Sequence, residues 1–205
     1  MKKGIKYDFS LLSLLLIPVG VSLNVVGYQL STILKLPVFL DLIGTTLVAM
    51  IAGPWVGMVT GGLGNLINGM VNPTSIPFAL VSMLVGLATG FFSRAKLFTN
   101  LLGTVVAGTI ITAISASSAG IVALFVFGGI SGASGTDFLT ATFVAAGNQI
   151  ASAVFSTNLI SGTFNTIINI SASMFLIKQI PDRYLSKLNY GTPYIGKKPL
   201  SKERV

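Results

Sequence analysis

Two acids, Asp41 and Asp137, sit inside a long stretch of this chain that is otherwise almost uncharged. Amides and hydroxyls recur at matching places along it. Asn24, Tyr28 and Gln29 come before Asp41. Asn65, Asn68, Asn72 and Thr74 follow it. Ser131, Ser134 and Thr136 precede Asp137, and Asn148 and Gln149 come after. Carboxylates and amides without a nearby base suit a neutral or weakly cationic molecule that forms hydrogen bonds, and they do not suit an anion. They are a poor catalytic set. The chain has no His and no Cys, which removes the imidazole base, the thiolate and the usual zinc ligands. It has no G-x-x-x-x-G-K-[ST] loop, so it does not hydrolyse ATP in that way. Asp41 and Asp137 could form an aspartyl dyad only if buried together, and their local sequences put both near a membrane interface. The expectation is a binding protein with no enzyme activity of its own, no cofactor and no metal.

The elements that carry these residues follow from the charges. Of the 141 residues from Pro37 to Ile177, only Asp41, Arg94, Lys96 and Asp137 are charged. A water-soluble surface needs roughly a quarter charged residues. The mean hydropathy is +0.85, and 52% of residues are hydrophobic. Runs such as LLSLLLIPVGVSL do not alternate as a membrane β-barrel requires. The chain therefore reads as an all-α integral membrane protein with six transmembrane helices and both termini cytoplasmic.

The first span is expected over about 11–30, retained rather than cleaved as a signal peptide. Gly53-Pro54 splits 38–71 into spans of about 38–53 and 55–71, because proline removes a donor and disfavours helix at the residue before it. Trp55 beside that break suits an interfacial anchor. The fourth span covers about 77–92 and the fifth about 101–127. A short helix or re-entrant piece is expected after 137, then a sixth span over about 149–177. Residues 1–180 form the membrane domain, and 181–205 a basic cytoplasmic tail.

This arrangement puts twelve basic residues inside: Lys2, Lys3, Lys6, Arg94, Lys96 and seven from Lys178 onward. Only Lys35 lies outside, as the positive-inside rule asks. The net charge of +8 is thus a topology signal, and no nucleic-acid partner is implied. The tail is expected to lie on anionic lipid or a cytoplasmic partner. The polar residues above gather at the outer ends of the spans. Asp41 there is either a ligand contact or a helix cap. Asp137 fits a loop or cap as well as a ligand contact. Asn24, Asn65 and Asn148 fit interhelical bonding or ligand contact, while Asn158, Asn165 and Asn169 read as interhelical bonding. Small residues four apart, such as Gly57/Gly61 and Gly86/Gly90, allow helices to approach closely. Such stripes serve packing within the chain or docking of another subunit.

Residues 39–94, FLDLIGTTLVAMIAGPWVGMVTGGLGNLINGMVNPTSIPFALVSMLVGLATGFFSR, resemble the substrate-binding S-components of energy-coupling factor (ECF) vitamin transporters. The shared pattern is an Asp opening span two, a Gly-Pro-Trp turn, a glycine-rich span three ending in Asn, and a Pro-containing loop. The resemblance implies a multi-pass protein of a bacterial plasma membrane that captures a small-molecule vitamin or precursor at the outer face. It implies three partner subunits, a transmembrane scaffold and two cytoplasmic ATPases that supply the energy. Within the family, the chain looks most like the pyridoxine or hydroxymethylpyrimidine group, with cobalamin and riboflavin open. The resemblance adds weight to Asp41, Asn68, Asn72 and Asn148 as ligand contacts. Many members dock the scaffold through Ala-x-x-x-Ala on the first span, but residues 11–30 contain no Ala. Ser13 and Gly20, joined by Gly57, Gly61 and Gly86, are the candidate docking residues here. A self-sufficient secondary carrier for a small neutral or weakly cationic solute and a non-transporting anchor subunit are the competing readings.

Overall fold

A computed structural model describes residues 5–34, 36, 38–131 and 135–195. The expectations on Lys2, Lys3, Lys35, Ser134, Lys197, Lys198, Lys202 and Arg204 lie outside them. The described residues form helices α1 (Ile5–Asp8), α2 (Leu11–Ile33), α3 (Ile43–Ala52), α4 (Pro54–Val71), α5 (Ala79–Arg94), α6 (Leu101–Phe127), α7 (Gly135–Ala145), α8 (Ile150–Gln179) and α9 (Asp182–Leu185). Short 3-10 turns join some of them, and no strand occurs among the described residues.

Three helices, α2, α6 and α8, are long and apolar enough to cross a membrane. Their outward faces carry large apolar side chains: Leu11 and Ile33 on α2, Leu101 and Phe125 on α6, Phe164 and Phe175 on α8. Apolar surface of this extent is stable against lipid and unstable against water. The stretch expected as a second span behaves differently. Residues 38–42 are not helical, and α3 has only ten residues, nine of them buried. At 1.5 Å per residue it is about 15 Å long, half the hydrocarbon thickness. Its sequence, IGTTLVAMIA, is apolar or small on every side, which is how a helix enclosed by others reads. The piece expected after residue 137 is helix α7.

The breaks follow local chemistry. Gly53 has φ +107, a conformation that side chains with a Cβ rarely adopt, and Pro54 occupies the first turn of α4. Ser10 caps α2 by accepting from Ser13 N–H, and Asn100 caps α6 by accepting from Gly103 N–H. The N-terminus of α3 has no cap from its own chain neighbours. Asn24, one helix away, supplies it: its Oδ1 accepts from Thr45 N–H at 3.1 Å while its Nδ2 donates to Thr45 Oγ1 at 2.8 Å.

Close backbone crossings hold the helices together. A Cβ built on Gly20 would lie 2.7 Å from side-chain carbons of Thr60 and Val48, and one on Gly44 would overlap the carbonyl of Gly20. A Cβ on Gly57 would lie 2.8 Å from Ala49 Cα, and one on Gly86 2.6 Å from Gly57 C. A Cβ on Gly61 would lie 2.8 Å from Ser82 C. The candidate docking residues Ser13, Gly20, Gly57, Gly61 and Gly86 are therefore all buried inside the chain, where small size serves helix–helix packing. None presents an outward face.

One end of the bundle is closed by the residues after α8. Leu185 and Leu188 join the main apolar core. Tyr190 is fully buried, and its N–H donates to Ile51 O at 3.3 Å. Its hydroxyl donates to Oδ1 of Asp8 at 2.8 Å, and Arg94 pairs with Oδ2 of Asp8 at 3.2 Å. The Arg94 guanidinium lies over the rings of Phe91 and Tyr190. Burial pushes the Asp8 carboxyl above its ordinary range, against the opposing pull of Tyr190 and Arg94. Burial, with Asp8 beside it, pushes the Tyr190 hydroxyl up to about 12. Residues 181–195 thus pack on the helical body, where the sequence suggested a tail lying on lipid or a partner. The apolar spacing of Leu185, Leu188 and Tyr190 is the physical reason.

Candidate functional site

The opposite end of the bundle holds a cavity of about 840 Å³. Pockets of roughly 300–1,000 Å³ are the usual size for small-molecule sites. The end of α2, the residues before α3, the turn after α4, the end of α6, the start of α7 and the first half of α8 all contribute to its walls. Phe39, Phe78, Val81, Ala119 and Phe138 supply much of the apolar lining. Phe78 is held in place by stacking on Phe127, with ring centroids 5.8 Å apart. Asp41 and Asp137 both face the cavity, and among the described residues no Lys or Arg lines it.

Four of the ten expected ligand-binding residues come together here: Tyr28, Asp41, Asn65 and Asp137. Asp41 is partly buried in the turn just before α3. The Asn65 amide donates to Ser82 Oγ, which ties two lining residues of α4 and α5 to each other. Asp137 accepts from the N–H and hydroxyl of Ser131, at 3.2 and 2.9 Å, so it also organises the turn between α6 and α7. Tyr28 accepts from the Asn72 amide at 2.9 Å. Asn72 itself does not line the cavity; it also caps the turn at Pro73 by accepting from Thr74.

The other five lie elsewhere. Asn24 spends both amide atoms on Thr45, as described above. Gln29 is on α2 but outside the lining. Asn68 is buried on α4, away from the cavity, and neither of its amide atoms has a partner among the described residues. Asn148 is exposed and donates to Phe143 O, closing the end of α7. Gln149 is exposed at the N-cap of α8. These two are connection residues, and their amides serve the turn between the helices.

Further polar lining residues lie outside the sequence-based set, among them Asn158, Ser161 and Asn165 on α8. Asn165 does bond between elements, accepting from Phe39 N–H at 2.7 Å, yet it also faces the cavity. Asn169, one turn further, matches interhelical bonding alone, donating to Phe39 O at 3.4 Å. The available signal was spacing: positions three and four apart share a helix face. Against protein-family models, curated proteins and solved structures, the chain gives no match.

Proposed function

We propose that the chain is the substrate-capture subunit of an ATP-driven ECF importer in a bacterial plasma membrane. In this reading it has six membrane spans and both ends in the cytoplasm. It binds a vitamin or precursor at the outer face and delivers it inward with a scaffold subunit and two ATPases. The observation that carries the reading is the cavity: it lies at the end away from Arg94, Lys96 and Lys178, and two carboxylates face it with no base among the described lining residues. The positive-inside rule then turns the cavity outward. In this reading the enclosed α3 crosses together with the non-helical residues 38–42, whose backbone is sheltered by the surrounding helices.

Pyridoxine and hydroxymethylpyrimidine fit the polar groups. One such ring fills only part of 840 Å³, which keeps riboflavin among the candidates, whereas cobalamin requires the cavity to widen. The test is purification of the tagged protein from its native host in mild detergent, with identification of the proteins that accompany it. Two ATPases and a polytopic scaffold are expected. A protein that comes alone and moves solute in ATP-free proteoliposomes would instead be a secondary carrier.

A further inference from the structure

The α8 wall of the cavity has a polarity that can be read atom by atom. Asn158, Ser161 and Asn165 are three and four residues apart, on one face, spanning about 10 Å along the axis. The two amides cannot flip freely, because each is tied to backbone. Asn158 Nδ2 donates to Val154 O at 2.9 Å, which leaves Oδ1 as its free acceptor. Asn165 Oδ1 accepts from Phe39 N–H, which leaves Nδ2 as its free donor. Between them Ser161 is only 3% exposed, and its hydroxyl finds no partner among the described residues. A buried hydroxyl without a partner is unfavourable unless something else bonds to it.

We propose that Asn158, Ser161 and Asn165 form a ladder that reads one edge of the captured molecule: acceptor at Asn158, either role at Ser161, donor at Asn165. The inference rests on the capture reading above and narrows its substrate class. The matching ligand carries an N–H or O–H toward Asn158 and an unprotonated ring nitrogen or oxygen toward Asn165. Its remaining face lies against Phe39, Phe78 and Phe138. The acids Asp41 and Asp137 favour a neutral or cationic form over an anionic one. A polar planar heterocycle meets all of these conditions; a fatty acid or a sugar phosphate does not.

The chain has no Cys, so single cysteines can be placed without background. The experiment uses the full chain in detergent, carrying Ser161→Cys or, as control, Ala153→Cys, a buried position of α8 outside the cavity. The probes are a trimethylammonium and a sulfonate methanethiosulfonate, followed by intact mass. The cationic probe should label Ser161→Cys at least about tenfold faster than Ala153→Cys. It should also outpace the anionic probe there by about fivefold or more. Pyridoxine, hydroxymethylpyrimidine and riboflavin are then tested as protectants; at least one should slow labelling. Adding Asn165→Asp, which keeps an oxygen for Phe39 N–H and removes the donor, should abolish that protection. Labelling no faster than at Ala153→Cys overturns the ladder. So does protection by none of the three, or protection that survives Asn165→Asp. Co-purification of ATPases is read separately: a protein that lacks them but labels and is protected as above keeps the ladder and loses the importer.

Discussion

The hydroxyl of Tyr190 donates to the carboxylate of Asp8 across 2.8 Å, joining residues 182 positions apart in sequence. Arg94 approaches the same carboxylate at 3.2 Å. This three-way contact fixes the start of α2, the end of α5 and the segment after α8 against the α3–α4 break. Tyr190→Phe should lower stability by about 1–2 kcal/mol, because it leaves a buried acceptor with one partner fewer. Thermal melting in detergent measures it, and an unchanged midpoint would mean that the bond adds nothing.

The pH dependence of the same cluster has a defined sign. Asp8 titrates above its ordinary range when folded. Its contribution to stability is therefore fully present below the unfolded carboxylate range and is lost as pH rises through its folded value. Wild-type protein should lose stability from this group between acidic and neutral pH. Asp8→Asn, with no charge to bury, should show a flatter profile when melting is followed from about pH 4 to about pH 8. Parallel profiles would remove Asp8 as the source.

Two glycines give a paired test of packing. Gly44→Ala puts a methyl into the carbonyl of Gly20, where only backbone could yield. Gly108→Ala meets its nearest neighbour, Ile170 Cδ1, at an ordinary 3.7 Å. The first should cost more than about 3 kcal/mol or prevent folding, and the second should change stability by less than about 1 kcal/mol. Size-exclusion profiles and melting midpoints would decide. Equal behaviour would mean that α2 and α3 do not cross there.

Asn24 separates structural amides from ligand amides. Asn24→Asp keeps the acceptor for Thr45 N–H and loses the donor to Thr45 Oγ1. It should destabilise the protein by about 1–3 kcal/mol, while ligand affinity measured on the folded fraction stays within about twofold of wild type. A larger affinity loss would return Asn24 to the binding site.

Asp41 makes the opposite forecast. Asp41→Asn preserves shape and removes charge at the cavity wall. It should weaken binding of a cationic vitamin roughly tenfold, about 1.4 kcal/mol, with membrane insertion unchanged. Titration calorimetry checks it, and an unaltered affinity would take Asp41 out of the site.

The helices were legible because their signals are local. Gly53-Pro54 marks the α3–α4 break, and the apolar runs of α2, α6 and α8 are unmistakable in composition. The short reach of α3 was harder to see, since FLDLIGTTLVAM continues the apolar pattern through residues that are not helical. The site was legible only in part. Tyr28, Asp41, Asn65 and Asp137 are legible as polar residues that gather at one end, and all four line the cavity. Asn24 and Asn148 answer the same question yet serve α3 and α7, because an amide looks the same whether it faces a cavity or a neighbouring backbone. Asn158 and Asn165 lie mid-helix, where interhelical bonding is the usual role, and Asn165 fills both roles at once. Asp8 lies among lysines before the first apolar run, where an acid looks like surface. The return of residues 182–195 completes its burial beside Arg94 and the Gly53 turn.

That return has a consequence for synthesis. Asp8 is made 182 residues before its partner Tyr190, so the carboxylate waits while the intervening helices are synthesised. Arg94 reaches it halfway. A chain ending at residue 189 keeps Leu185 and Leu188 but leaves Asp8 one donor short, beside an open seam at Gly53. The longer and the shorter chain thus differ at the Asp8 carboxylate and the Gly53 turn, at the end of the bundle away from the cavity.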